Sequence, residues 1–403
     1  MAPYESDDAV GAARDENPRS GRRKAARYAV PVAVVGVAAA TIGLVPALAN
    51  SGDPDLPKIT AQQLIEKIAK SDVQQLSGTV KVSTDLGLPD LGGLEDGLLS
   101  GAGRGGSGDD SAADPQAKLT ELVSGTHTLR VAADGPDRQK LSLLERGAEY
   151  SLIHDGKDVW GYDSKSNQVH HSTVAGPGKH RRAEPPATPK DFADEALKAV
   201  DDTTSVTVDG TAQVAGRDAY KLLIQPRQSG TTVGAISIAV DAKTGLPLKF
   251  TLTPKSGGAA VLDAGFTQVS FAQPAASTFD FTPPKGAKVT EEKDGAEAPE
   301  HAPRHGAGLP GGLEGRDGLK VLGKGWTSVA TFDTGAKGGL PTGSRGGDLG
   351  GFVGSLGEKA SGKFGKGMVF STRLVNALIT DDGKVYAGAV TKEALVKAAD
   401  AGK

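Results

Sequence analysis

Short runs in which apolar and polar residues alternate fill most of the chain after residue 126. In the clearest pair, apolar residues occupy every second position up to Asp241 and again from Leu246 to Leu252. Because successive side chains of a β-strand point to opposite faces, this spacing predicts an antiparallel hairpin with one apolar and one polar face. Asp-Gly, Arg-Gly and similar turn signals separate the other runs. A chain patterned in this way is constrained to fold around a large antiparallel sheet.

Two helix signals interrupt the strand pattern. Thr60 precedes a helical apolar periodicity, and Gln63 follows it at the spacing of a capping box. Thr188 and Pro189 begin a second predicted helix, because threonine is a frequent N-cap and proline is favoured at the first helical position. The order of helix, strands, helix and strands predicts an α+β domain built on one antiparallel sheet.

Beyond residue 57, changes in composition divide the chain into a domain, a linker and a second domain. The strand-rich domain is predicted over residues 58–290, with a Gly-rich loop insertion at 86–116 that can sustain neither a helix nor a strand. A linker rich in proline, glycine and charge covers residues 286–318. Alternation then resumes and ends on a helical pattern, so residues 319–403 are predicted to form a small α+β domain.

Residues 28–49 form an uncharged apolar run with a basic cluster before it. A helix that spans a bilayer needs about 20 such residues, so the run predicts a transmembrane anchor or a signal sequence. The distribution of basic residues places residues 1–27 in the cytoplasm as a charged tail and the rest of the chain outside. Two alternatives follow: a single-pass protein of the cell membrane with an extracytoplasmic C-terminal part, or a protein secreted after cleavage at Ala49.

The residue content argues against several kinds of chemistry. The chain has no cysteine, which excludes disulfides, thiolate metal sites and thiol nucleophiles. His170 and His171 are adjacent on a predicted strand, so they point to opposite faces and cannot share a metal ion. No serine lies in a nucleophile-elbow context, and a formal net charge of -3 gives no reason to expect nucleic acid. We therefore predict a protein that is not an enzyme, with no cofactor, no metal and no nucleic-acid partner.

Read in order, the segments resemble the LolA-type fold of bacterial lipoprotein carriers and of the N-terminal half of the sigma-E regulator RseB. The similar segments are the first helix followed by LSGTVKV, then IHDGKDVWGYD, VDGTAQVAGRDAYKLLIQP, VDAKTGLPLKF and FDFTPPKGAKV. The resemblance covers about residues 58–290. It implies an α+β fold: an incomplete antiparallel β-barrel with covering helices, preceded by the transmembrane or signal helix and followed by the small α+β domain.

The resemblance also implies that the concave apolar face of this half-barrel binds acyl chains. The alternation supplies the candidate inward-facing residues, which are Leu141, Leu143, Leu152, Leu222, Ile224, Ile236, Ile238, Leu248, Phe250 and Leu252. The predicted function is extracytoplasmic, non-enzymatic binding of a lipid or lipoprotein acyl chain near a membrane, driven by burial of apolar area at roughly 25 cal/mol per Å². The alternative is a membrane-tethered envelope-stress sensor that, like RseB, contacts an anti-sigma factor or another envelope protein.

Overall fold

Two antiparallel sheets dominate the part of the chain that the structure describes. The computed structural model covers residues 53–87, 113, 118, 124–173, 201–291, 319–333 and 357–402. The predicted tail at 1–27, the predicted anchor or signal at 28–49 and the second predicted helix after Thr188 lie outside these residues.

The first sheet has twelve strands in the order β12-β6-β5-β4-β3-β2-β1-β11-β10-β9-β8-β7. Its strands are β1 (Gln75–Thr84), β2 (Gly125–Asp134), β3 (Arg138–Glu145), β4 (Ala148–Asp155), β5 (Asp158–Asp163), β6 (Gln168–Thr173), β7 (Thr204–Val214), β8 (Arg217–Pro226), β9 (Val233–Asp241), β10 (Pro247–Pro254), β11 (Leu262–Ser270) and β12 (Lys288–Glu291). Neighbouring strands are antiparallel except β12, which pairs in parallel with β6. Two runs of consecutive hairpins therefore meet where β1 pairs with β11.

The second sheet has six strands in the order β13-β14-β18-β17-β16-β15. Its strands are β13 (Lys320–Leu322), β14 (Val329–Asp333), β15 (Glu358–Gly362), β16 (Gly365–Ser371), β17 (Asn376–Thr380) and β18 (Lys384–Gly388). Helix α2 (Lys392–Ala401) follows β18 and buries Leu395 and Ala399 against the sheet. Thr391 caps this helix by accepting a hydrogen bond from the backbone N–H of Ala394.

The predicted α+β class with a preceding transmembrane or signal helix is wrong for the described chain, which is mostly β. Its α-helices are α1 (Ala61–Ala69) and α2, with 9 and 10 residues. No helix in the described ranges is long and apolar enough to cross a membrane. The described chain is mostly β because alternation with a period of two continues through both sheets. The helices only cover parts of sheets that the strands already define.

Direct contacts join the two sheets. The indole N–H of Trp326 donates to Thr204 Oγ1 at 2.9 Å, and its backbone N–H donates to Gln228 Oε1 at 2.8 Å. Arg373 pairs with the carboxylate of Asp85 at 2.6 Å, with side chains 22% and 58% exposed. The described part of residues 319–403 therefore packs on the larger sheet through side-chain and backbone hydrogen bonds.

His171 holds the parallel edge strand β12. Its Nε2 lies 2.9 Å from Asp158 Oδ1 and its Nδ1 lies 2.6 Å from Glu291 Oε2. The ring stacks on Trp160 with centroids 3.7 Å apart. Carboxylates only accept hydrogen bonds, so both contacts are made fully when His171 is protonated. Burial lowers the pKa of His171, but the hydrogen bonds and charges of the two acids outweigh it, and the pKa is raised.

We expect His171→Phe to make the stability less dependent on pH. The raised pKa means that the contribution of His171 is fully present below about pH 6.5 and is lost as the pH rises through the folded-state pKa. The acids are half-exposed, so the wild type should exceed the variant by only about 0.5–1 kcal/mol at pH 5.5. The phenyl ring retains the stacking on Trp160. Denaturant unfolding at pH 5.5 and 8.5 measures the difference, and an equal gap at both values would contradict the assignment.

Candidate ligand-binding face

Strand register places the predicted cavity residues on one face of the first sheet, which we call the apolar face. Two cross-strand rows over β8, β9 and β10 read Leu222–Ile238–Phe250 and Ile224–Ile236–Leu252. On the other side of the β1–β11 junction, Leu141 pairs with Leu152, and Leu143 is paired with Leu129. Leu248 lies at an irregularity of the β9–β10 pairing and is fully buried. Side chains far apart in sequence therefore share one surface.

The ten predicted residues differ in how they are packed. Four belong to the larger buried cluster: Leu141, Leu143, Leu152 and Leu248. Two belong to a smaller buried cluster beneath α1: Leu222 and Ile224. The remaining four are half-buried, and we call them the central strip: Ile236, Ile238, Phe250 and Leu252. The strip lies on β9 and β10, between the two clusters. Six of the predicted residues therefore serve the core, and four have apolar surface available.

Helix α1 covers the apolar face on one side of the central strip. Thr60 and Gln63 form the predicted capping box, with each side chain accepting from the other residue's backbone N–H. Leu64 and Ile68 point into the smaller cluster, and the helix contacts the strands β7 and β8. The chain before the helix is held as well, because Tyr220 donates from its hydroxyl to the carbonyl of Pro57 at 3.0 Å. The position of α1 is thus set by buried contacts at both of its turns.

On the other side, Ala113 packs on the apolar face although it falls within the predicted loop insertion. Its carbonyl accepts a hydrogen bond from the Tyr150 hydroxyl at 3.1 Å, and the residue is fully buried. A Cβ on Gly161 would lie 2.6 Å from that carbonyl, so only glycine permits this approach. This contact was not predicted from the sequence. A glycine in the interior of a predicted strand was the available signal, since such a glycine often marks a close backbone approach.

Lys118, five residues after Ala113 in the chain, contacts two acidic side chains of the first sheet. Its ammonium lies 2.8 Å from Glu145 Oε1 and 3.4 Å from Asp163 Oδ2, and the side chain is 12% exposed. Burial alone would raise the pKa of Asp163, but the backbone N–H groups of Ser166 and Lys165 and the charge of Lys118 lower it overall. The buried ammonium group of Lys118 is therefore paired with the carboxylates of Glu145 and Asp163.

Lys249 lies beside Phe250 on β10 and points to the opposite, polar face. Its cross-strand neighbours are Ala239 and Gly265, which are too small to reach its ammonium group. Burial lowers the pKa of Lys249 to about 7, although the charge of Asp263 opposes this. The low pKa of this lysine is largely a consequence of desolvation. Because Lys249 points to the polar face, it is not a candidate to contact a ligand on the apolar face.

Comparison with known proteins returns structures but no sequence family. No protein-family model matches the chain, and no curated protein matches it. A complex of MucA and MucB from Pseudomonas aeruginosa is similar with 15% identity and a TM-score of 0.40, covering 84% of this chain and 96% of that one. A LolA superfamily protein from Nitrosomonas europaea is similar with 11% identity and a TM-score of 0.23, covering 56% and 99%. An uncharacterised conserved protein from Thermus thermophilus reaches 14% identity and 0.31, covering 58% and 99%.

As the sequence predicted, a LolA superfamily protein is among the structures similar to this chain, and MucB is another. Identities and TM-scores this low carry no argument about activity, ligand or partner. The assignment of the ten residues to a ligand remains a prediction.

Proposed function

We propose that the chain is a non-enzymatic binding protein of the cell envelope that holds an acyl chain of a lipid or lipoprotein on the central strip. The observation that carries the proposal is the packing of the apolar face. Ile236, Ile238, Phe250 and Leu252 form a continuous apolar surface that is half-buried between two fully buried clusters. An apolar strip in this position is suited to a ligand that is itself apolar and narrow.

The energetics of such a ligand are favourable without any covalent chemistry. Each buried methylene of an acyl chain contributes about 0.8 kcal/mol, so a chain of ordinary length offsets the cost of ordering it. The core clusters on both sides fix the strands that present the strip, and Leu222 at 2% exposure is part of that support. Binding would therefore need little rearrangement of the sheet.

Native mass spectrometry of the full chain tests the proposal directly. We expect a bound species whose mass matches a lipid or a lipidated peptide, and we expect displacement of that species by a fluorescent fatty acid. A clean apoprotein that also ignores fluorescent fatty acids and lipopeptides would overturn the proposal.

A substitution in the central strip should separate ligand binding from folding. Ile238→Asp places a charge where an apolar tail would lie, and we expect at least a tenfold loss of affinity for a fluorescent fatty acid, because an unpaired charge is costly beside apolar groups. Ser237→Asp is the matched control, since it introduces the same charge one residue away on the opposite face of β9. Fluorescence titration measures both variants, with circular dichroism to confirm folding. Equal losses in the two variants would contradict a site on the strip.

Contact with another protein is the second candidate function, and one observation favours it. Among the described strands, β13 is at the edge of the second sheet and Val321 on it is 62% exposed. Exposed edge strands can accept a strand from a partner. An anti-sigma factor or another envelope protein would be such a partner. Recovery of a specific protein by affinity capture from membranes, together with an apoprotein free of lipid, would favour this candidate over acyl-chain binding.

A further inference from the structure

A polar groove lies on the face of the first sheet opposite the central strip. It has a volume of about 410 Å³ and is formed by strands β11, β1, β2, β3 and β4, with Thr278 contributing from the segment after β11. Its side chains come from two neighbouring cross-strand rows, which read Gln268–Thr79–Arg130–Ser142 and Ser77–Ala132–Lys140. This volume matches a small ligand rather than a single ion.

Two cations line the groove without a partner acid. Arg130 and Lys140 are diagonal neighbours on β2 and β3, which places their Cβ atoms about 7–8 Å apart. Neither forms an ion pair with a residue in the described ranges. Like charges at this spacing repel each other. An anion between the two side chains would remove that repulsion and satisfy both groups.

Hydrogen-bond donors surround the same space. The hydroxyls of Ser77, Thr79 and Thr278 and the amide of Gln268 line the groove. Within the described structure these four side chains make no hydrogen bond at all to protein groups. They are therefore available to a ligand that is rich in acceptor oxygens.

Glu149 is the one carboxylate among the described lining residues, and its position does not close the site to anions. Its Oε1 accepts a hydrogen bond from the Ser151 hydroxyl at 2.9 Å, and Ser151 is in turn 3.0 Å from the hydroxyl of Ser142. The carboxylate is thus engaged on the β4 side of the groove. The two cations lie on β2 and β3, where the positive charge exceeds the negative charge.

We propose that this groove binds a phosphate ester. The planar guanidinium of Arg130 offers paired N–H groups that match phosphate oxygens, and Lys140 adds a second positive charge. The hydroxyl and amide donors take the remaining oxygens, and the space beyond them holds the alcohol part of the ester. The source is a soluble phosphate ester or the headgroup of a phospholipid, which share this chemistry. Because the groove is on the opposite face from the central strip, the proposal is independent of acyl-chain binding.

Titration of the full chain with three probes tests the proposal. Glycerol 3-phosphate and inorganic phosphate represent soluble sources, and phosphatidylglycerol vesicles represent a headgroup. We expect saturable binding by calorimetry of at least one phosphate ester probe, and amide shifts in nuclear magnetic resonance spectra at Thr79, Arg130 and Lys140. Tighter binding of vesicles than of the soluble ester would indicate the headgroup, and the reverse would indicate a free metabolite. Equal affinity for inorganic phosphate and for the phosphate ester probes would overturn the assignment of an ester.

Substitutions decide whether the groove is the site. We expect the double variant Arg130→Gln and Lys140→Gln to lose at least tenfold in affinity for the tightest probe. Lys81→Gln is the matched control, because Lys81 is an exposed lysine on β1 outside the groove and its removal should change affinity less than threefold. Thr79→Val, which removes a donor without changing charge, should lose affinity as well. Equal loss in the control, or no saturable binding in any titration, would overturn the proposal.

Discussion

Leu64→Ala is expected to lower the free energy of unfolding by about 2–5 kcal/mol, the range for truncating a buried leucine. Leu64 is fully buried, and its side chain lies between α1 and the strands that carry Leu222 and Ile224. An isolated helix of 9 residues is marginal in water. The helix is therefore held mainly by Leu64 and Ile68, and truncation of Leu64 removes much of that attachment.

The same substitution should change the central strip. As α1 loosens, the strip gains exposure on that side, and an environment-sensitive dye should bind more strongly to the variant. Chemical denaturation measures the stability change. The matched control is Gln62→Ala, an exposed position of the same helix, where we expect a change within about 0.5 kcal/mol. A loss below 1 kcal/mol for Leu64→Ala would mean that α1 does not pack on the sheet as described.

Lys249→Met is expected to stabilise the protein, and the gain should depend on pH. The pKa of Lys249 is about 7 in the folded chain, well below the value of about 10.4 in an unfolded chain. Below pH 7 the residue is charged in both states, so the folded state carries the full desolvation penalty. Between about pH 7 and 10.4 the unfolded state binds more protons, and wild-type stability therefore rises with pH.

The size of this effect is limited by solvent, because Lys249 is only partly buried. After that screening is taken into account, we expect Lys249→Met to gain about 1–3 kcal/mol at pH 6. The advantage should shrink steadily towards pH 10. Denaturant unfolding at several pH values measures it, with Lys81→Met as a control at an exposed lysine on the same polar face, where the change should stay within about 0.5 kcal/mol. A gain that is constant with pH would show that methionine acts by packing and not by removing a desolvated charge.

Local features of the fold were predictable from the sequence because short-range interactions determine them. The capping box at Thr60 is present as expected, since its partners are three residues apart. The hairpin of β9 and β10 turns at Asp241, whose carboxylate accepts hydrogen bonds from the backbone N–H groups of Lys243 and Thr244. These contacts need only neighbouring residues, so a linear pattern contains the information to predict them.

The class of the fold and the packing of the candidate site were not determined in this way. Alternation showed that Phe250 and Leu248 are apolar, but the irregular pairing of β10 with β9 and the packing of the larger buried cluster decide that Leu248 is core while Phe250 is half-buried. The predicted α+β class was wrong because helix signals in a sequence mark where a helix begins. They do not show how large a share of the fold consists of strands.

By itself, the sequence determined which segments become strands, where they turn and which of their residues are apolar, because period-two alternation and turn chemistry act over a few residues. Only the tertiary structure decided that β1 pairs with β11, that Ala113 reaches Gly161, and that Arg130 and Lys140 share a groove. These contacts join residues far apart in the chain or depend on strand register. Many pairings satisfy the same local pattern, and the native one is selected by the burial and hydrogen bonding of the whole sheet.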